Sequence, residues 1–353
     1  MSRVWEVPVH DSTRVRDARM AAREACVHVG LAPPRTADAE LVATELATNL
    51  LKHAGGGRIV VNLVAPPSGG ADTSVQLFSL DHGPGIADVT AALRDGFTTA
   101  DISLGAGLGS CRRIANAFHL YSAPGRGTVA TARIDPEPDG RGTPVGDVPA
   151  GGITVALAQA EQCGDAWSWV RSGGLRTLLL ADGLGHGPKA AHAAGAAVAE
   201  LRRIAHLPPV DILRRLHTVL RPTRGAAVSV AQVDTERAEL TFAGVGNVGA
   251  RLRTGNTWTS LLTHPGIVGA YFPARVPLRR VPWHRDSLLV VHSDGLPSRW
   301  SPPEDPHLLA HDPSVVAATI LRDAGSPARP VRDDTSVAVL APDRRTSAHD
   351  SRL

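Results

Sequence analysis

Apolar and polar positions follow regular patterns over most of the chain, and the patterns stop in one segment, residues 136–150. That segment is rich in proline, glycine and aspartate and predicts a linker between two domains. The domains then comprise residues 1–135 and 151–342. Residues 343–353 are expected to form a disordered tail.

The first domain is predicted to mix helices and strands. Apolar positions that recur every three or four residues indicate helices, and short apolar runs indicate strands. The predicted order is strand 4–9, helix 13–29, helix 36–53, strand 58–64, strand 74–80, a glycine-rich region, helix 109–117 and two strands that end near Ile134. This mixture favours an α+β sandwich in which one sheet carries helices on one face.

The second domain is predicted to be richer in strands. Strands are expected at 153–160, 175–181, 226–234, 238–244 and 287–292, and helices at 188–206, 210–220 and 313–323. Such a pattern favours a strand-rich domain with a helical layer.

Composition narrows the class of protein. Hydrophobic residues make up 43% and charged residues 20% of the 353 positions, which is typical of a globular protein. The formal net charge is only +3 and no basic block occurs, so a nucleic-acid partner is not expected. No apolar run is long enough for a membrane span and no signal peptide is evident, so we expect a cytoplasmic protein. The three cysteines, Cys26, Cys111 and Cys163, are expected to be buried free thiols.

Four short motifs occur in a fixed order in the first domain. Glu45 and Asn49 stand four residues apart and share one helix face. "DHGPGI" then places Asp81 at a strand end before glycines that allow close approach of the backbone to a ligand. "LGAGLGS" opens a helix whose free N–H groups form an anion site, and "GRGTVATARI" follows it. Neither a P-loop nor a dinucleotide fingerprint fits these motifs.

This ordered set resembles the GHKL (Bergerat) ATP-binding fold of gyrase, certain heat-shock chaperones and histidine kinases. Within that superfamily it is most similar to the small serine kinases of bacterial anti-sigma and stressosome switches, through "AGGG", "DGFTT" and "LGAGLG". The resemblance covers nearly all of residues 1–135. It implies an α/β sandwich that binds ATP with Mg²⁺ and phosphorylates a serine of another protein.

The resemblance also implies roles for individual residues. Asn49 would bind the magnesium ion carried by ATP, since a hard cation prefers oxygen ligands. Glu45 would be the general base for the attacking serine hydroxyl. Asp81 would accept a hydrogen bond from the adenine amino group. The remaining implied nucleotide contacts are Gly83, Gly85, Gly105, Gly107, Gly109 and Thr128.

Acidic residues recur in the second domain where strand-like runs begin or end. They are Asp165, Asp182, Asp294, Asp333 and Asp334. A single Asp-Gly is an ordinary turn, but several carboxylates at one end of a sandwich repel one another unless cations lie between them. Oxygen ligands of this kind suit Mg²⁺ or Mn²⁺ and leave the choice between them open.

The order "GD…ADGLGHG…SDGL…RDDTS" resembles the PPM serine/threonine phosphatases of the SpoIIE type, especially the stressosome feedback phosphatases. The resemblance implies a PPM-type β-sandwich flanked by helices, with two Mg²⁺ or Mn²⁺ ions. The implied metal ligands are Asp165, Asp182, the Gly183 carbonyl, Asp294 and Asp333, with Asp334 as the alternative to Asp333.

Together the two resemblances imply a bifunctional regulator of a bacterial partner-switching pathway. Its expected partners are STAS-domain antagonist or scaffold phosphoproteins, with a sigma factor or another switch phosphatase as further candidates. The alternative is a phosphatase whose N-terminal domain is an ATP-dependent anti-sigma or scaffold module without kinase activity.

Overall fold

A computed structural model describes residues 3–67, 72–93, 107–137, 149–325 and 333–343 of the chain. In the N-terminal domain, strands and helices follow the predicted order: β1 (Trp5–Val9), α1 (Thr13–Val29), α2 (Pro33–Ala54), β2 (Gly57–Val64), β3 (Ser74–Leu80), α3 (Val89–Ala92), α4 (Gly107–Ile114), β4 (Ala117–Ser122) and β5 (Thr128–Ile134). The strands form one antiparallel sheet in the order β1-β2-β3-β5-β4.

One face of this sheet carries α1 and α2. Both helices present small or branched apolar residues to the sheet, as Ala22 and Val42 do, and these pack with Ile59 and Leu77 in one buried cluster. Since successive strand residues point to opposite faces, Val60 and Phe78 face away from these helices. A second apolar face is therefore present and needs its own cover.

The C-terminal domain is a sandwich of two antiparallel sheets. Its elements are β6 (Ala150–Val155), β7 (Asp165–Ser172), β8 (Leu175–Gly183), α5 (Pro188–Ile204), α6 (Pro209–Leu220), β9 (Ala226–Asp234), β10 (Glu239–Val245), β11 (Gly249–Thr254), β12 (Thr257–Leu261), β13 (Arg279–Pro282), β14 (Leu288–His292), α7 (Pro306–Leu309), α8 (Pro313–Ala324) and β15 (Thr335–Leu340). The sheets run β13-β10-β9-β8-β7 and β12-β11-β14-β15-β6. Apolar side chains such as Leu180 and Leu289 fill the space between them, and α5 and α6 cover the outer face of the first.

Helix α8 lies between the two domains. Ten of its twelve residues are buried, a pattern expected of a helix that is covered on all sides. It packs on β6 and β15 of its own domain and on β3, β4 and β5 of the N-terminal sheet, and Val60 and Phe78 belong to the same apolar cluster. The N-terminal domain thus has its own helices on one face of its sheet, as predicted, and the C-terminal domain covers the other face.

The predicted elements agree well with the structure, with local corrections. The strand expected at 153–160 is wrong at its C-terminal end, where Leu157–Gln159 forms a 3₁₀ turn instead. The helix expected at 109–117 is Gly107–Ile114, and Ala117 begins β4. Five strands, β7, β11, β12, β13 and β15, and the short helices α3 and α7 were not predicted.

The domain boundaries can be compared with the structure only in part. Strand β6 begins at Ala150, the last residue assigned to the linker, and most of that linker lies outside the described residues. Asp343, assigned to the tail, forms an ion pair of 3.0 Å with Arg176, and the rest of the tail is outside the described residues. The cysteines are buried and free, as predicted. None of the described helices has the length and hydropathy needed to cross a membrane.

Candidate functional sites

A cavity of about 500 Å³ opens in the N-terminal domain between α2, the end of β3 and the start of α4. Its volume lies in the range of small-molecule sites. Of the residues predicted to bind nucleotide, five line it: Asn49, Asp81, Gly85, Gly107 and Thr128. The structure therefore brings together motifs that are distant in the sequence.

Asp81 directly follows β3 and is held in place by hydrogen bonds from two backbone amides. Its Oδ1 accepts hydrogen bonds from the Gly83 amide at 2.8 Å and the Thr128 amide at 3.0 Å. Only 7% of the residue is exposed, and this burial raises the pKa of its carboxyl group, against the effect of the two amide donors. A carboxylate held in this way presents its other oxygen in a fixed direction, as recognition of an amino group requires.

Two glycines next to Asp81 admit no side chain. A Cβ at Gly85 would lie 2.2 Å from the Ala123 carbonyl oxygen, and its φ of +74° is in the left-handed region. A Cβ at Gly83 would lie 2.7 Å from Ala54 Cα. The motif "DHGPGI" is thus explained by packing against α2 and the β4–β5 turn as well as by any ligand.

Glu45 and Asn49, the two polar residues predicted on one face of α2, lie near Gly107 at the start of α4. The Asn49 Nδ2 atom is buried and has no hydrogen-bond partner in the described part of the chain. Because the protein does not fix this amide, its oxygen can turn toward a cation, so the residue fits the predicted role. Glu45 does not line the cavity, but it lies next to Gly107, which does line it. A Cβ at Gly107 would be only 2.7 Å from Glu45 Oε2.

The predicted phosphate lid is only partly described. Gly109 is buried within α4 and does not line the cavity, and neither does Gly83. Gly105 lies outside the described residues. The Ser122 hydroxyl was missed by the sequence analysis: it accepts a hydrogen bond from the Ile86 amide and lies 2.8 Å from Thr128 Oγ1. No motif distinguishes this serine from others in strands.

In the C-terminal domain, Asp165 and Asp182 face each other across strands β7 and β8. Asp165 is fully buried; its Oδ2 accepts a hydrogen bond of 2.5 Å from Ser293 Oγ, and its Oδ1 has no partner among the described residues. Burial, followed by the nearby acidic residues, raises the pKa of both carboxyl groups. Two carboxyl groups in this setting require a proton or a cation between them.

Asp294 approaches the same place from the end of β14. Its charge is one of the causes, after burial and the charge of Asp165, that raise the pKa of Asp182. The Asn247 amide nitrogen donates to Asp294 Oδ2 on the other side. Asn247 belongs to "AGVGN", and the sequence analysis did not assign it to the site because such turns are common.

Asp333 and Asp334 differ sharply in their surroundings. Both oxygens of Asp334 accept backbone amides, Oδ1 from Leu157 at 2.8 Å and Oδ2 from Gly164 at 2.6 Å, and the residue is only 4% exposed. Asp333 is exposed, and its charge is one of the causes that raise the pKa of Asp182. Asp334 thus stabilises the loop that carries Asp165, whereas Asp333 is available to a ligand.

The loop after Asp182 depends on glycine. A Cβ at Gly183 would lie 2.2 Å from the Ala190 carbonyl oxygen at the start of α5. Gly185 and Gly187 have φ of 82° and 76°, a conformation that favours glycine. The stretch "ADGLGHG" therefore turns sharply from β8 into α5 and keeps Asp182 at the strand end.

The acidic cluster fits divalent cations by its chemistry. It supplies only oxygen ligands, and it contains an unpartnered buried carboxylate oxygen on Asp165, which pairs with Asp182 on the neighbouring strand. Within the described ranges no three His, Cys, Asp or Glu side chains already form a group that could hold a metal ion. The acidic side chains would have to move closer together when cations bind. Bound cations would favour this movement because they neutralise the repulsion between the carboxylates.

The two domains match the models of two different protein families. Residues 172–343 match the family model of Stage II sporulation protein E (SpoIIE), and residues 9–134 match that of the histidine kinase-like ATPase domain. Asp182, Asp294 and Asp333 lie within the first match, whereas Asp165 precedes it. The serine/threonine-protein kinase RsbT of Bacillus subtilis (strain 168) is 33% identical over 115 residues, which are 33% of this chain and 84% of RsbT.

Solved structures give further similarities. A chain of the bacterial stressosome, described as a modular system adapted to control secondary messenger signalling, is 30% identical, with 54% of this chain and 97% of that chain covered and a TM-score of 0.48. RsbX in complex with magnesium is 22% identical, with 53% and 92% covered and a TM-score of 0.45. The PP2C phosphatase domain of SpoIIE from Bacillus subtilis, with a fragment of its regulatory domain, is 15% identical, with 95% and 98% covered and a TM-score of 0.48.

Proposed function

We propose that this protein is a bifunctional regulator of a bacterial partner-switching pathway. The premise is that the chain belongs to the histidine kinase-like ATPase family through its N-terminal domain and to the SpoIIE family through its C-terminal domain. The C-terminal domain removes phosphate from phosphoserine of STAS-type proteins. The N-terminal domain transfers phosphate from ATP to serine. The observation that carries the proposal is the convergence of Asp165, Asp182 and Asp294 at one end of the sandwich.

In the phosphatase site two of the carboxylates, Asp165 and Asp294, are held by neighbouring side chains. Asp165, Asp182, Asp294, Asp333 and the Gly183 carbonyl would hold two Mg²⁺ or Mn²⁺ ions. Bound there, the ions would neutralise phosphoryl oxygens and lower the pKa of a water molecule. Ser293 fixes Asp165 and Asn247 fixes Asp294 by the hydrogen bonds described above.

The reaction is a hydrolysis without a covalent phosphoenzyme. A water oxygen forms a bond to phosphorus, the bond from phosphorus to the serine oxygen breaks, and the serine oxygen takes up a proton. This scheme needs no nucleophilic side chain. Cys163 is unsuited to such a role, because its buried thiol has a pKa well above the ordinary value.

In the kinase site the cavity would orient ATP. Asp81 would accept a hydrogen bond from the adenine amino group, and Asn49 would hold the Mg²⁺ that accompanies the triphosphate. Glu45 would accept the proton of the attacking serine as the bond from oxygen to the γ-phosphorus forms and the bond to ADP breaks. The fit of Asn49 rests on its unpartnered buried amide.

The two activities would be futile on one serine at one time. We therefore propose that they act on different phosphosites, or at different times, within one circuit. The similarity to RsbT supports STAS-domain antagonist or scaffold proteins as substrates, with a sigma factor or another switch phosphatase as further candidate partners.

One observation favours the competing function, an ATP-dependent binding module: the Glu45 side chain does not line the cavity. Variants discriminate the two. Glu45→Ala is expected to abolish phosphorylation of a STAS-domain protein while Asp182→Ala abolishes dephosphorylation, with the exposed Glu236→Ala as the matched control. If Glu45→Ala still binds the STAS-domain protein and the wild-type chain does not phosphorylate it, the result would instead support the binding module.

A further inference from the structure

An exposed arginine lies beside the loop that follows Asp182. Arg224 stands just before β9, the strand that pairs with β8 on the side away from β7. The register of these strands places Asp182 opposite Ala227, and beyond the strand end the Leu184 amide donates to the Gly225 carbonyl oxygen at 3.0 Å. The pairing therefore continues into the loop and brings Arg224 next to it.

The guanidinium group of Arg224 reaches this loop. A Cβ at Gly185 would lie 3.0 Å from Arg224 Nη1. Gly185 has a φ of +82°, so a side chain there would be strained and would also crowd the guanidinium. The glycine leaves room for the arginine on the loop that begins with Asp182.

The backbone on both sides of Arg224 is held in place. Thr223 Oγ1 donates to the Leu220 carbonyl oxygen at 2.7 Å and accepts a hydrogen bond from the Gly225 amide at 3.0 Å. A Cβ at Gly225 would lie 2.7 Å from the Val268 carbonyl oxygen, so this residue is closely packed. Arg224 is thus presented from a fixed backbone while the residue itself stays exposed.

The positive charge of Arg224 is not used to neutralise the acidic cluster. Within the described ranges Arg224 forms no ion pair with a carboxylate. The four predicted carboxylate ligands and two divalent cations would balance each other in charge. A phosphoserine adds about two further negative charges, which need a cation of their own at the site.

We propose that Arg224 is a substrate-binding residue of the phosphatase site and that its guanidinium binds oxygens of the phosphoryl group. A planar guanidinium suits this role because it offers two parallel N–H donors to phosphate oxygens. The ligand class is a phosphomonoester dianion, or the inorganic phosphate that its hydrolysis releases. This role rests on the proposed phosphatase activity, and Arg224 is not a metal ligand.

The first test measures the Kd of inorganic phosphate by calorimetry on full-length chains loaded with Mn²⁺, where no turnover occurs. Arg224→Met keeps most of the side-chain length and removes the charge, so the Kd is expected to rise about tenfold or more. Arg224→Lys keeps the charge without the planar pair of donors and should lose less affinity. Arg221→Met, at the end of α6 and also exposed, is the matched control and should bind phosphate like the wild type.

The second test compares hydrolysis with metal binding and stability. With p-nitrophenyl phosphate, kcat/KM of Arg224→Met is expected to fall about tenfold or more, while its Kd for Mn²⁺ and its urea midpoint stay those of the wild type. Equal phosphate Kd values for Arg224→Met and the wild type would overturn this role. Weaker Mn²⁺ binding by the variant would also overturn it, because the arginine would then support the metal loop. If the wild type hydrolyses neither p-nitrophenyl phosphate nor a phosphoserine protein, the phosphatase function itself fails, and the role of Arg224 with it.

Discussion

Asn62 of β2 and Thr154 of β6 exchange two hydrogen bonds across the domain boundary. Asn62 Nδ2 donates to the Thr154 carbonyl oxygen at 2.9 Å, and the Thr154 amide donates to Asn62 Oδ1 at 2.8 Å. Both residues are buried, so neither backbone group of Thr154 has water as an alternative partner. A side chain of one domain therefore completes the edge of a sheet in the other.

Removal of this contact should destabilise the chain. Asn62→Ala leaves a buried donor and a buried acceptor unpaired, and we expect the free energy of unfolding to fall by about 1–3 kcal/mol. Urea unfolding followed by tryptophan fluorescence measures it. Asn256→Ala in the exposed β11–β12 turn is the matched control and should change stability by less than about 0.5 kcal/mol. An equal midpoint for both variants would show that the contact does not join the domains.

Ser293 is predicted to set the affinity for metal. Its hydroxyl fixes Asp165 and also accepts a hydrogen bond from the Ser336 amide at 2.9 Å. Ser293→Ala should weaken Mn²⁺ binding about 10–100-fold, as loss of a ligand's supporting partner commonly does. Calorimetric titration with Mn²⁺ tests this. Ser229→Ala removes an equally buried hydroxyl that has no partner in the described ranges, and its Mn²⁺ affinity should stay that of the wild type.

Substitutions of Asp333 and Asp334 are expected to have different effects, one on metal binding and the other on stability. Asp334→Asn places an amide group against two backbone N–H donors, so unfolding should become easier by about 1–3 kcal/mol. Asp333→Asn should leave stability unchanged and weaken Mn²⁺ binding. Paired urea and metal titrations of both variants decide, and the reversed pattern would make Asp334 the ligand.

The contact between Tyr121 and Asp305 predicts a loss of stability in alkali. The Tyr121 hydroxyl donates to Asp305 Oδ2 at 2.6 Å, and burial, followed by this carboxylate, raises its pKa from 10.0 to about 12. Since the folded form holds the proton more tightly, the stabilisation is complete below pH 10 and is lost between pH 10 and 12, up to about 2–3 kcal/mol. Unfolding midpoints at pH 9 and 11.5 measure it, and Tyr121→Phe should show a smaller difference between them. An equal fall in both proteins would assign the effect to other groups.

Local sequence patterns predicted most of the helices and strands, because each of these depends on neighbours along the chain. Apolar runs indicate where strands end, so Asp182 and Asp294 could be placed at strand ends from the sequence alone. The largely apolar sequence of α8 indicates burial, but it does not reveal that two different sheets cover the helix. Asn247 was missed because its place in the site comes from a hydrogen bond to Asp294, which is far away in sequence.

The bifunctional account is tested most directly by intact mass of a STAS-domain antagonist incubated with the wild-type chain. With Mg²⁺ and ATP, at least one unphosphorylated antagonist is expected to gain the mass of one phosphate. With Mn²⁺ and no ATP, at least one phosphoserine form is expected to lose that mass, and Asp182→Ala should leave it intact. No gain and no loss on any antagonist tested would contradict the account.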